Sequence, residues 1–412
     1  MKRIIFLIDM NSFFVSCELI RSPQYKKKPI VIASRSKRSV ILAASYAAKK
    51  LGIDSAMNLQ TALMKFPQIE IIPPDMEYYI SYSKKIMQFL KQFSQHIASA
   101  SVDEAYVDVT HYFEKTPSTP ENVRKLASFI QAKLLKELGL PSNIGISTTR
   151  FLAKMASELR KPFVIESIYI DEIEQKLWPL PIGMMYGIGK KSTALLEYIH
   201  IKTIGEFAIF ENEILLERLL GKHILEQQQY ARGIFIQSQS VVKQREEALS
   251  ISQSRTFLED VTEYITLEKK LSDLWGNIVD EVKRKNHKVR CIKVFYKQED
   301  FHTMQRSQTM PDYSDDFDAI YKDALALFLM LWDGEPIRLV GIGVSDFIEK
   351  QRHAEQLNLF QMNTAELARK VQKEKVHSAL SLLPRKYGLM TGKDLLEKRN
   401  NDGNSNGKKT NK

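Results

Sequence analysis

Cysteine is nearly absent: 412 residues contain only Cys17 and Cys291. That excludes a disulfide framework and fits a reducing cytoplasm. Long hydrophobic runs are missing as well. No stretch of about 18 uncharged apolar residues occurs, which excludes a membrane-spanning helix. The opening run MKRIIFLIDMNSFF is broken by Asp9 and lacks a small-residue cleavage site. It therefore reads as a buried strand, not a signal peptide. No internal repeat is present, which excludes a solenoid.

What is there is ordinary globular material, 44% hydrophobic and 26% charged. The chain is too long for one core, and about two to four domains are expected. The net charge of +11 is spread unevenly, with +8 over residues 1–237, −4 over 238–350 and +7 over 351–412. A basic body with a basic tail points to a polyanion, nucleic acid first. The same charge would also serve as a solubilising surface.

Residues 1–110 alternate strand and helix signals. KRIIFLI, PIVIAS and IEIIPP read as strands; helices are predicted from Ser12 to about Ser22, from Ala43 to Leu51 and from Tyr78 to Phe93. A loop and helix fill 117–139, NIGIS is a strand, and a helix over Phe151–Leu159 stops before Lys161-Pro162. Short helices follow over 168–235, then a polar linker, QSQSVVKQRE. Residues 246–350 carry three strands and two helices, about 262–285 and 316–332, and so form a small α+β domain. The tail has an amphipathic helix over 363–383 and ends in NNDGNSNGKKTNK, a composition that predicts disorder.

Three carboxylates stand in apolar strand patterns. Asp9 closes the first strand, and Asp103-Glu104 interrupt ASASVDEAYVDVT, residues 98–110. Neighbours on a regular strand point to opposite faces, so a turn is needed for the pair to converge on Asp9. Buried charges are costly unless paired or metal-bound. Mg²⁺ takes carboxylate oxygens together with substrate phosphates, and two such ions about 4 Å apart serve phosphoryl transfer. The competing reading is of surface acids at strand ends. Tyr46, Lys49 and Lys161 can offset the charge of a triphosphate, or be a half-buried tyrosine and solvated lysines. Phe13 reads as core, and Phe14 is open between core and the wall of a nucleotide site. In MMYGIGKKSTALL, Gly187, Gly189 and Lys190 open a helix whose first N–H groups can meet a phosphate. This fits half of a helix-hairpin-helix; the second half, IKTIGEF, is degenerate. QLNLF, residues 356–360, is either a peptide anchor or an ordinary helix start.

Together these segments resemble the Y-family of translesion DNA polymerases over residues 3–350. The motifs stand in order: FLIDMNSFF, ILAASYAAKKLGI, ASASVDEAYVDVT, NIGISTTRFLAKMASELRKP, YGIGKKSTALL and RLVGIGVSDF. The resemblance implies an α+β multidomain right hand. Its parts would be a palm (1–12 and 75–165), fingers (13–74), a helical thumb (166–235) and a linker (236–244). A little finger (245–350) and a C-terminal tail (351–412) complete it. The implied activity is low-fidelity, template-directed DNA synthesis opposite damaged bases, within the SOS response and in the cytoplasm. Two Mg²⁺ would be held by Asp9, Asp103, Glu104 and the Met10 carbonyl. Phe13 and Phe14 would line the nucleotide, Phe14 as the steric gate against a ribose 2′-OH.

The resemblance also assigns the triphosphate to Tyr46, Lys49 and Lys161. Lys49 stands where the family often has Arg, a point charge in place of a bidentate fork. Ala43 stands where a hydroxyl residue is common, and Phe163 where a small residue is usual. Gly187, Gly189 and Lys190 would meet primer-template DNA. So would Arg255, Lys293, Lys297 and Arg338, with the Asp-rich run 312–318 facing away. Gln356, Leu357, Leu359 and Phe360 resemble a sliding-clamp-binding pentapeptide, and the tail helix is left open between an accessory protein and DNA. Two other classes compete. A catalytically weak relative would act mainly as a DNA- and clamp-binding module, against which the intact carboxylates argue. A nucleotide cyclase shares the palm, but needs no thumb turn, little finger or QLNLF.

Overall fold

Strand β1 (Ile5–Met10, IFLIDM) is buried at every position, as a central strand covered on both faces must be. The structure is a computed structural model and describes residues 3–235 and 249–349. Helix α1 (Phe13–Arg21) follows β1, and the chain then leaves for a small sheet of β2 (Ile30–Ile32), β3 (Ala43–Ala44) and β4 (Glu70–Ile72). Helices α2 (Tyr46–Lys50) and α3 (Leu59–Lys65) lie between these strands in sequence. The chain returns through α4 (Met76–Leu90), β5 (Ile97–Ser99), β6 (Glu104–Asp108) and α5 (Pro120–Leu138). Then come β7 (Ser142–Ser147), α6 (Arg150–Glu158) and β8 (Ile165–Ser167). The five-stranded sheet runs β5-β6-β1-β7-β8, which puts the strand bearing Asp9 at its centre.

Alternation along β1 sorts its side chains. Phe6, Ile8 and Met10 join a core with Phe89 of α4 and Ile130 of α5. Ile5 and Leu7 pack with Tyr106 and Ala153 on the α6 side, and Asp9 shares that face. Helix α6 lies close because β7 has a glycine beneath it. A Cβ on Gly145 would stand 1.9 Å from the Ala153 carbonyl oxygen and 2.6 Å from the Ser157 nitrogen. The small sheet has its own core around Val31, Ile41 and Leu59, whereas α1 buries Phe13, Val15 and Cys17 in the core of the five-stranded sheet.

One helix is shorter than the sequence predicts. The element expected over Ala43–Leu51 starts at Tyr46, because Ser45 is extended and its side chain accepts the Ala48 N–H. Ala43 and Ala44 instead pair with β2.

Residues 168–235 form the expected short helices α7 (Ile173–Lys176), α8 (Lys190–Tyr198), α9 (Ile204–Ile209), α10 (Glu213–Leu220) and α11 (His223–Ala231). Their core takes in Phe151, Leu152 and Met155, so α6 also packs into this helical unit.

The last described unit is β9 (Ser250–Val261), α12 (Tyr264–Arg284), β10 (His287–Lys297), β11 (Thr303–Ser314), α13 (Phe317–Leu331) and β12 (Ile337–Glu349). Its antiparallel sheet runs β11-β10-β12-β9. Strand β11 is one more than the sequence predicts. TMQRSQTMPDYS has little apolar pattern because it is an exposed edge strand. The Asp-rich run ends this strand and starts α13, where the Asp316 side chain accepts the Ala319 N–H and Asp318 sits in the first turn. The linker 236–244, the QLNLF segment and the tail helix lie outside the described residues. Among the described residues no helix is long and apolar enough to cross a membrane.

Candidate active site

The register of β1 and β6 sets Asp9 opposite Glu104, and directly opposed residues share a face. Both carboxylates therefore point to the α6 side. Asp103 stands one residue earlier, in the turn between β5 and β6. Its backbone carbonyl accepts the Met10 N–H at 3.0 Å, and its carboxylate accepts the Ser101 hydroxyl at 2.5 Å. The turn brings the adjacent acids together only in part. The carboxylates with oxygens within 4.8 Å of one another are those of Asp9, Glu104 and Glu158. Asp103 lies at the margin, near enough for the charge of Asp9 to act on it.

Helix α6 and the segment after it supply two lysines. Lys154 Nζ lies 2.6 Å from Glu104 Oε1, 2.8 Å from Glu158 Oε1 and 3.8 Å from Asp9 Oδ2. Lys161 Nζ reaches Asp9 Oδ2 at 2.7 Å and Glu158 Oε1 at 2.8 Å. Asn11 ties this segment down, its Oδ1 accepting the Phe163 N–H at 3.0 Å. Burial pushes the Asp9 carboxyl up to about 6 even against the pull of Lys161, and burial raises Asp103 as well. Burial opposes the charge on Lys154, yet its bonds to Glu104 and Glu158 outweigh this and hold the ammonium above the ordinary lysine value. Burial likewise works against ionised Glu158, but the two lysines keep it below the usual carboxylate range.

Sequence reasoning does not single out Lys154 or Glu158. The available signal is their four-residue spacing, which puts both on one face of a helix within the motif that ends at Lys161.

With all groups ionised, four carboxylates (Asp9, Asp103, Glu104, Glu158) face two ammoniums in a half-buried site. Hard oxygen donors short of positive charge suit a divalent ion such as Mg²⁺. Asp9 and Glu104, whose oxygens lie within 4.8 Å of each other, could hold it, with Met10 buried beside them at the end of β1.

Tyr46 faces the same place. Burial raises its phenol, and Lys161, Ser12, Asp9 and Asn11 all act on it. Lys49 lies within the same helix, its Nζ 5.1 Å from the Tyr46 ring centroid. Phe13, core by its own sequence reading and at the nucleotide by the resemblance, lies in the core, turned inward at the start of α1 at 3% exposure. Phe14 is only partly buried and stacks on Tyr79, with ring centroids 4.5 Å apart and planes 17° from parallel. Tyr79 donates its hydroxyl to Glu18 at 2.8 Å, and Arg21 grips that carboxylate at 2.7 Å. The sequence gives no hint of this support, because Tyr79 and Glu18 lie 61 residues apart.

The expected DNA contacts divide. Gly187 has φ 96, a left-handed backbone that favours glycine, and Gly189 caps α8 just before Lys190. The segment IKTIGEF starts α9 with a capping box between Thr203 and Glu206. In the little finger, cross-strand pairing sets Lys293 opposite Gly343 and Ser307, on the face away from the helices, and Lys297 alternates onto that face. Arg255 pairs with Val340, which packs against the helices, so it lies on the opposite face of the sheet from Lys293. Arg338 lies over the Phe301 ring at 4.5 Å. Gln356, Leu357, Leu359 and Phe360 lie outside the described residues.

Comparison with known proteins gives a consistent answer. A family model described as the impB/mucB/samB family matches residues 8–158, and one for the C-terminal domain of that family matches 248–359. DNA polymerase IV of Clostridium kluyveri is 35% identical over 399 residues, covering 94% of this chain and 96% of its own. DNA polymerase IV 1 of Bacillus subtilis is 32% identical, covering 94% and 91%. Among solved structures, a Y-family DNA polymerase chimera superposes with a TM-score of 0.75 at 25% identity, over 84% of this chain and 99% of the other. DinB from Sulfolobus solfataricus has the same coverage, with a TM-score of 0.55 at 24% identity.

Proposed function

Because the chain belongs to the impB/mucB/samB family of Y-family DNA polymerases, and is a DNA-directed DNA polymerase acting on primer-template DNA and deoxynucleotides, we propose that it works by two-metal-ion nucleotidyl transfer at the Asp9–Glu104 cluster. The observation that carries this is the convergence of carboxylates from β1, β6 and α6 on one half-buried site short of positive charge. Two Mg²⁺ bound there would stabilise the charge that builds as a 3′-hydroxyl attacks the α-phosphate and pyrophosphate leaves.

The chain's own residues do the remaining work. Asp9, Asp103 and Glu104, with the Met10 carbonyl, form the oxygen cage. Lys161, Tyr46 and Lys49 bind the triphosphate, and their fixed charges and hydroxyl offset the negative charge of the departing group. Phe14, backed by Tyr79, closes the space a 2′-hydroxyl would need. Gly187, Gly189 and Lys190 of the thumb, with Lys293 and Arg338 of the little finger, grip the DNA backbone. Gln356, Leu357, Leu359 and Phe360 bind the sliding clamp. The biological role in this reading is low-fidelity bypass of damaged bases in the cytoplasm during the SOS response.

Primer extension on intact and abasic templates tests this reading. Asp103→Ala and Asp9→Asn are each expected to lower incorporation on the order of 10³-fold. Activity equal to wild type in either variant would remove that residue from the mechanism. Failure of the wild type to pass the abasic site would remove the bypass role.

A further inference from the structure

The two lysines of the acidic cluster occupy ground that bound metal ions would need. Lys161 Nζ lies 2.7 Å from Asp9 Oδ2, and Lys154 Nζ lies 2.6 Å from Glu104 Oε1. Both carboxylates already have a cation in hydrogen-bond contact, so loading the site requires an exchange of ammonium for metal. Glu158 is placed to make that exchange possible. Its Oε1 lies 2.8 Å from each lysine. An ammonium leaving Asp9 for a half-buried space with no counter-charge would face a desolvation penalty. With Glu158 in place, the lysine keeps a partner throughout.

We propose that Glu158 is a positioning residue, the carboxylate that retains Lys161 and Lys154 when Asp9 and Glu104 turn to metal. While Asp9 and Glu104 hold no metal, the same lysines offset part of the site's negative charge from within. The proposal rests on the metal reading given above and goes past it, because Glu158 acts through the lysines and does not hold the ion. Tethered at Glu158, Lys161 is released from Asp9 without being lost from the site and is free to meet a triphosphate.

The test is Mn²⁺ titration of the full, nucleotide-free chain, with free ion read by its paramagnetic resonance signal. Glu158→Gln is expected to weaken Mn²⁺ binding on the order of tenfold, since Lys161 then clings to Asp9. Lys161→Met is expected to tighten binding by a similar factor, and in that background Glu158→Gln should cost less than about threefold. In primer extension, Glu158→Gln should raise the KM for nucleotide more than it lowers kcat. An equal loss of Mn²⁺ affinity in both backgrounds would make Glu158 a ligand and overturn the proposal; no loss in either would overturn it as well. Glu158→Asp keeps the charge on a shorter arm and serves if Glu158→Gln does not fold, with a smaller loss that Lys161→Met again removes. Asp9→Asn separates the two levels: Mn²⁺ binding unchanged by it would overturn the metal reading itself.

Discussion

Arg38 of the fingers and Asp260 of the little finger form an ion pair, Nη1 to Oδ1, at 2.8 Å. The same nitrogen donates to the Phe257 carbonyl at 3.1 Å. The two side chains are 19% and 17% exposed, so solvent screens the pair less than an ordinary surface bridge. The pair adds on the order of 1 kcal/mol at most to holding the two parts together. Arg38→Glu should therefore widen the distribution of distances between dyes attached near Met64 and Met330 in the DNA-free protein. Adding Asp260→Arg should narrow it again. Identical energy transfer in all three proteins would show that the pair does not hold the little finger.

The stack of Phe14 on Tyr79 predicts graded loss of sugar discrimination. Phe14→Ala removes the ring itself and should raise ribonucleotide incorporation about 100-fold relative to deoxynucleotide. Tyr79→Leu leaves the gate but takes away the surface behind it, and should raise it about tenfold. Single-nucleotide incorporation with matched ribo- and deoxynucleotides reads both. An unchanged ratio in Phe14→Ala would end the gate assignment.

Asp9 predicts a stability cost with a defined pH window. Burial lifts its carboxyl from an ordinary 3.8 to about 6, so folding favours the protonated form. The resulting stability is present below about pH 4 and is lost as pH rises through about 6. At pH 8 the ionised group costs on the order of 1–3 kcal/mol. Asp9→Asn, melted in the presence of a chelator, should therefore be more stable than wild type at pH 8. The advantage should shrink below pH 6 and vanish near pH 4. A gain that does not change with pH would show that the group is not desolvated as described.

Thiol chemistry checks the packing of α1. Cys17 is buried, and burial, reinforced by Glu18, pushes its thiol up to about 12. Cys291 is partly exposed. A colorimetric disulfide reagent at pH 8 should find one reactive thiol in the native protein and two in denaturant. Two reactive thiols in the native protein would mean that α1 opens readily from the palm.

Much of the palm and its carboxylates is legible in the chain, because IFLIDM and NIGIS are nearly continuous apolar runs and Asp9, Asp103 and Glu104 interrupt such runs. Strand β11 is not legible, since an exposed edge strand leaves no apolar alternation to read. The face of Arg255 depends on how β9 registers against β12 near an irregularity between Ile337 and Leu339, which local spacing does not encode. Tyr79, Lys154 and Glu158 look ordinary in sequence because their roles come from partners. Lys154 and Glu104 are 50 residues apart. Phe13 and Phe14 differ in fate because the first turn of one helix sends one ring to the core and the other to a stack.

Gly145 bears no functional group, yet it sets the thickness of the floor beneath the reacting charges. With only hydrogen between strand and helix, α6 rests on β7 closely enough for Lys154 and Glu158 to span to Asp9 and Glu104. A methyl group there, 1.9 Å from the Ala153 carbonyl oxygen, would lift the helix like a shim under a bearing. Every charged residue would remain in the sequence, and Lys154 would stand farther from Asp9 and Glu104 on the sheet. Chemical competence here is inherited through a blank position as much as through the acids, and a search restricted to polar side chains would pass over it.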